Sequence, residues 1–144
     1  KVKSTLYFKE NPFTRYRVIA VDSKKNIKQK RWYIPTGVTY SWSEAYKFCT
    51  EEMPKVAGGK WTLPVHEDFD EFMKSVGNKT FLGAMQIPED ADKPGFFWTA
   101  KMEKSGAAPS YFVYPGDETH RLDQKSNYPE SATRRYHVAC VSLD

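Results

Sequence analysis

An α+β fold is expected from three features of the chain. Strand-like alternation occupies its opening third, two segments with helical periodicity follow, and short strand-like pieces then alternate with long polar stretches. With 144 residues, 40% of them hydrophobic and 15% aromatic, the chain can fill one core. Aromatic side chains recur from Tyr7 to Tyr136, so every region has something to bury. Residues 1–144 therefore read as a single domain. Residues 1–34 supply N-terminal strands of that same domain, because two or three strands cannot bury a core alone.

Strands are predicted over residues 4–9 and 16–21, with Asn11-Pro12 turning between them, and again over 31–34. At Ser41 the period changes. Trp42, Ala45, Tyr46 and Cys49 fall at i, i+3, i+4 and i+7, and Ser41 with Glu44 forms a capping box, so a first helix starts there. Pro54 and Gly58-Gly59 are expected to end it. Val65, Phe69, Phe72, Met73 and Val76 mark the apolar face of a second helix, with His66, Glu67, Asp68, Asp70 and Glu71 turned to solvent and Gly77 closing it. Beyond it, strands are predicted at 80–85, 96–100, 111–114 and 136–143. The polar segments 86–94 and 115–134 read as long loops, the kind of segment that carries function.

The net charge of +4 is partly concentrated in Lys24, Lys25, Lys28, Lys30 and Arg31. That run reads either as a polyanion site or as a solvated hairpin tip around Asn26. No apolar run approaches the roughly 20 residues of a membrane span, and the amino end lacks the pattern of a secretory leader. Cys49 and Cys140 lie 91 residues apart with no CxxC or Cys/His cluster beside them, which argues against a metal knuckle. Both fall in apolar patterns. As partners they would stabilise the fold by about 4 kcal/mol and require an oxidising compartment; otherwise they are two buried thiols.

Little in the chain points to catalysis. His66, His120 and His137 share no helical face, and of the three only His120, in the second polar segment, is a candidate for function. Gly-x-Ser-x-Gly and Gly-rich phosphate loops are missing, and Glu67 with Glu71 sits near Lys74 on what reads as a solvated surface. An enzyme, a cofactor and a metal site are not expected. Asn78-Lys79-Thr80 is formally a glycosylation sequon.

Five pieces carry a resemblance in their order: Trp42-Ser-Glu-Ala45-Tyr-Lys-Phe-Cys49, Gly59-Lys-Trp61-Thr-Leu63-Pro64, Phe81-Leu82-Gly83, Phe97-Trp98-Thr99 and His137-Val-Ala-Cys140-Val141. Together they resemble the C-type-lectin-like domain, and their wording is most similar to bacterial versions such as the distal domains of intimin and invasin adhesins. The resemblance implies a fold of two helices, short antiparallel strands and long loops, with one disulfide joining Cys49 in the first helix to Cys140 in the last strand. It also implies an extracellular, non-enzymatic binding domain at the bacterial surface, part of an outer-membrane-anchored protein. Such a domain is the monomeric tip of a longer chain and attaches to a host cell-surface protein in virulence; nucleic acid and membrane insertion are not expected.

Two departures qualify the match. A Thr that caps the second helix in bacterial relatives is Val65 here. Calcium-dependent lectins carry Glu-Pro-Asn or Gln-Pro-Asp and a later Trp-Asn-Asp, whereas this chain has Gln86-Ile-Pro88-Glu89-Asp90 and no Trp-Asn-Asp, so half of the oxygen cage is missing. A calcium-independent lectin reading cell-surface or sulfated glycans through Lys24, Lys25, Lys28 and Arg31 is the alternative. For a protein receptor, the contact candidates are the aromatic and arginine residues Phe96, Arg121, Tyr128 and Arg134.

Overall fold

The computed structural model describes residues 30–35, 38–74, 82–83, 85, 87, 95–101, 107–111 and 131–143 in full, and the backbone path of 6–11, 16–22, 29, 75–76, 112–115 and 122–130. The architecture is α+β, with antiparallel strands in two sheets and one disulfide. In the larger sheet the order is β1 (Leu6–Asn11), β2 (Tyr16–Asp22), β3 (Gln29–Tyr33), β8 (Cys140–Ser142) and β4 (Trp61–Thr62). The smaller sheet runs β5 (Gly95–Trp98), β6 (Ala107–Pro115) and β7 (Leu122–Ser131).

Period-two alternation at the centre builds two cores from one set of strands. Trp32, Ile34, Phe97, Ala139 and Val141 face the helix α3 (His66–Val76), where they meet Phe69 and Phe72. Their neighbours Tyr33, Trp98, Val138 and Cys140 face the other way, toward Ala45, Cys49 and Met53. Trp32 meets Phe69 and Phe72 edge-on at 5.4 and 4.9 Å, the geometry in which the positive ring edge meets a negative face. Each fully buried side chain of this size contributes about 2 kcal/mol.

The helical segment on the second core has three parts: α1 (Trp42–Lys47), a π-helical stretch (Phe48–Glu52) and α2 (Met53–Ala57). Its predicted capping box is formed, Ser41 N–H donating to Glu44 Oε1 at 2.9 Å and Glu44 N–H to Ser41 Oγ at 3.4 Å. Pro54 does not end the segment as expected. The preceding π stretch, with the Met53 N–H bonded to the Phe48 carbonyl, widens the turn and relieves the clash a proline ring makes with a carbonyl four residues back. Wider turns also keep Ala45, Cys49 and Met53 on one line at four-residue steps, and all three are fully buried. The stop is Gly58, whose φ of 72° is a conformation glycine adopts without strain. Tyr46, expected on the buried face, is 41% exposed.

Three further expectations are corrected. The strand predicted at 80–85 is helical at Leu82 and Gly83, and the Ile87 N–H closes a loop on the Leu82 carbonyl at 2.9 Å, burying Leu82, Met85 and Ile87. The polar segment 115–134 contains the ten-residue strand β7, which pairs with β6 from Pro115↔Leu122 to Ala107↔Ser131. Backbone pairing, not an alternating apolar pattern, holds that strand. The final strand is regular only from Cys140, since Tyr136 and His137 form isolated bridges to Tyr40 and Phe97.

Val65 precedes α3 and is 41% exposed, outside the apolar face assigned to it. Half of the capping arrangement survives without the missing Thr: Asp68 Oδ2 accepts the Val65 N–H at 3.0 Å. Asp68 also takes Lys30 Nζ at 2.7 Å, so it ties α3 to the sheet instead of facing solvent. Val65→Thr adds the absent hydroxyl acceptor at the start of the helix. Urea denaturation is expected to show a gain of about 1 kcal/mol; no gain would mean that the first turn is already satisfied.

Candidate aromatic and arginine interface

Three segments converge beside the run-in to β8: residues 38–46, 95–98 and 131–137. Tyr40 and Tyr136 exchange backbone hydrogen bonds of 2.9 and 3.0 Å, the Trp42 N–H donates to the Ala132 carbonyl at 2.9 Å, and the His137 N–H donates to the Phe96 carbonyl at 2.9 Å. Backbone bonding of this density sets the positions of the side chains on the surface. Phe96 stacks on Tyr136 at 4.9 Å, and Tyr136 leans on the buried Trp98 at 4.7 Å. Trp42 stacks on Tyr46 at 5.1 Å and is pinned by its indole N–H, which donates to the Thr99 carbonyl at 2.8 Å. Val38 is exposed at the same rim.

Two arginines complete it. The Arg134 N–H donates to the Ser131 carbonyl at 3.0 Å, and the hydroxyls of Ser131 and Thr133 lie 2.8 Å apart, so Arg134 rides on a closed turn. Arg135 donates from Nη1 to Glu44 Oε1 at 3.1 Å and from Nη2 to the Thr39 carbonyl at 2.6 Å. Glu44 is held below the usual carboxylate range, first by the Ser41 backbone N–H, then by the Ser41 hydroxyl and by Arg135, so it stays charged as the partner of that guanidinium. The His137 imidazole is exposed along one side, but its packing at 5.5 Å against Phe97 strips water from the other. That desolvation draws its pKa below the ordinary value against an opposing bond to the Val38 backbone, so the ring is neutral at pH 7.

Of the four contact residues expected from sequence, Phe96 and Arg134 lie on this rim. Arg121 lies outside the described residues. Tyr128 is in β7 opposite Ser110, a strand position and not the loop position assigned to it. Arg135, Tyr136, Trp42 and Tyr46, which also lie on this rim, were not among the contact residues expected from sequence. The run Arg134-Arg135-Tyr136 could have revealed the first two, had the last strand not been started at Tyr136. Cys49 and Cys140 are joined, with Cα atoms 5.3 Å apart and both side chains fully buried.

Two residues of the basic run are committed elsewhere. Lys30 is bonded to Asp68, and Arg31 lies over the Trp61 ring at 5.0 Å while donating to the Ala57 carbonyl at 3.1 Å. Lys24, Lys25 and Lys28 lie outside the described residues, as does His120. Asp70 holds a second polar cluster, accepting from the Tyr111 hydroxyl at 3.0 Å and lying 3.4 Å from His66 Nε2. Burial, reinforced by the Asp70 charge, pushes Tyr111 far above the usual tyrosine range, so its hydroxyl is a fixed donor anchoring β6 to α3 and not a base. Among the described residues no group of three His, Cys, Asp or Glu is placed to hold a metal ion.

No protein-family model, curated protein or solved structure matches the chain.

A tyrosine whose folded pKa is raised contributes stability that is complete below its unfolded value near 10 and is lost as pH rises above it. Between about pH 9 and pH 11 the native chain should therefore lose stability to urea more steeply than Tyr111→Phe. Identical slopes would show that Tyr111 ionises as freely folded as unfolded.

Proposed function

We propose that the chain is an extracellular binding domain of C-type-lectin-like fold, the receptor-binding tip of a bacterial adhesin of intimin/invasin type, and that it contacts a host protein through the rim of residues 38–46, 95–98 and 131–137. The observation that carries this reading is the composition and rigidity of that rim. Trp42, Tyr46, Phe96 and Tyr136 stand partly exposed beside Arg134 and Arg135, residue types enriched at protein interfaces. Their backbones are already fixed by mutual hydrogen bonds, which lowers the ordering cost of binding. Further support comes from the disulfide, which suits an oxidising compartment and joins the first helical segment to the last strand, the two places the sequence resemblance gives it. Of the residues the glycan reading relies on, Arg31 is engaged within the fold, and Lys24, Lys25 and Lys28 lie outside the described residues.

The test is binding of the labelled domain to cultured epithelial cells pretreated with protease or with glycosidases. Saturable binding is expected that survives glycosidases and is abolished by protease. Phe96→Ala together with Tyr136→Ala should weaken it at least about tenfold. Failure to bind, or binding removed by glycosidases alone, would sink the proposal.

A further inference from the structure

His137 is the point at which three segments of the rim meet. Its backbone N–H donates to the Phe96 carbonyl at 2.9 Å and its carbonyl accepts the Trp98 N–H at 3.2 Å, so it bridges to β5 in parallel opposite Phe97. Its ring lies 5.5 Å from the Phe97 ring and is bonded to the Val38 backbone. Phe97 gives little room for adjustment, since it is buried and packs on Phe69 of α3 at 5.8 Å. The imidazole is therefore shielded from water on one side for as long as residues 136 and 137 keep their places against β5.

A charge on this ring has no counterweight. Among the described residues no charged side chain acts on it, and water lost to packing outweighs the one contact that favours charge, the Val38 backbone. From the 38–46 segment, Glu44 is taken by Ser41 and Arg135. Residues 95–98 carry no titratable side chain, and Asp70 of α3 is held by Tyr111 and His66. On the segment that contains His137, Arg135 is turned to Glu44 and Thr39, and Tyr40, Tyr46 and Tyr136 are uncharged throughout the acid range.

We infer that residues 136–137 form an acid-released strap: at neutral pH an uncharged His137 seats them against β5, and on acidification the imidazolium leaves Phe97 for water, parting Tyr136 from Phe96 and weakening the hold on the receptor. The inference rests on the binding reading above and adds its regulation. Histidine is the side chain whose charge changes in this range. Held below its unfolded pKa, it stabilises the native contact fully above that value, about 6.5, and withdraws the stabilisation as pH falls through the lower, folded one. The other end of the segment responds later. Glu44, below the usual carboxylate range, keeps its hold on Arg135 at a pH where His137 is already charged, so release starts at His137.

The test follows the domain by NMR between about pH 7.5 and pH 5. The His137 ring should titrate with a midpoint below that of histidine in an unfolded peptide. Amide exchange, corrected for its intrinsic pH dependence, should lose protection at His137 and Trp98 at least about threefold more than at Trp42, whose N–H bonds the Ala132 carbonyl at the far end of the segment. His137→Gln, which keeps a neutral donor, should show no such difference. Titration and exchange in the native protein need no substitution, so a variant that fails to fold leaves them intact. Cell binding should weaken at least about threefold over the same range, and by less in His137→Gln. A midpoint at or above the unfolded value, protection that does not change with pH, or a selective loss that persists in His137→Gln would overturn the strap. Cell binding that ignores acid would overturn it too, while leaving the adhesin reading in place. Selective loss of protection in a domain that binds no cells at neutral pH would do the reverse.

Discussion

The bond between Cys49 and Cys140 is the constraint on which the rest of the molecule depends. β8 is only three residues long, yet it pairs with β3 on one side and β4 on the other and so joins the edge strand β4 to the rest of the large sheet. Two residue pairs on each side hold it there. In a strand this short, a slip of one residue would cost few hydrogen bonds but would send every side chain to the opposite face. Because both faces of β8 are buried in different cores, such a slip would drive Cys140 toward α3 and Val141 toward the first helical segment. A covalent link from Cys140 to Cys49 permits one register. The disulfide thus decides which residues face which core, in addition to limiting the freedom of the unfolded chain.

That choice of register extends to the surface. Residues 131–137 lead directly into β8, and their positions against 38–42 and 95–98 are set by the same backbone path. Trp98 illustrates the coupling: it is fully buried in the core that contains the disulfide, its indole N–H donates to the Tyr40 carbonyl, and its ring supports Tyr136 from beneath. A rim fixed from below in this way holds its aromatic rings and guanidinium groups with little left to order, as the proposed binding role requires. The second polar cluster, around Asp70, has a different role: among the described residues, its contacts hold α3 against β6 and close the first turns of α3.

Much of the fold was legible in the chain because helices announce themselves by period and cap. Ser41 and Glu44 mark the start of the first helical segment, and Phe69 with Phe72 marks the buried face of α3. The apolar patterns around the two cysteines already favoured pairing over two buried thiols, and the ordered resemblance put the bond between the same two places. What escaped detection has physical causes. β7 carries mostly polar side chains and is specified by its pairing with β6, a long-range partnership that no local pattern reports. Pro54 was misread because a π-helical turn can accommodate it, and such a turn leaves no periodic signature. Of the candidate rim, Phe96 and Arg134 could be found by residue type, whereas Arg135 is positioned by Glu44 and Thr39, 91 and 96 residues away in the chain.

Hydrogen exchange on the double variant Cys49→Ala, Cys140→Ala tests this account most directly, alongside its stability to urea. If the disulfide sets the register of β8, the variant should lose about 4 kcal/mol. It should also lose protection first across residues 131–142 and their partners at 38–42, while α3 remains protected to the point of global unfolding. Protection over 131–142 equal to that of the native protein, with a stability loss below about 1 kcal/mol, would show that pairing and packing alone fix the strand, and would contradict the account.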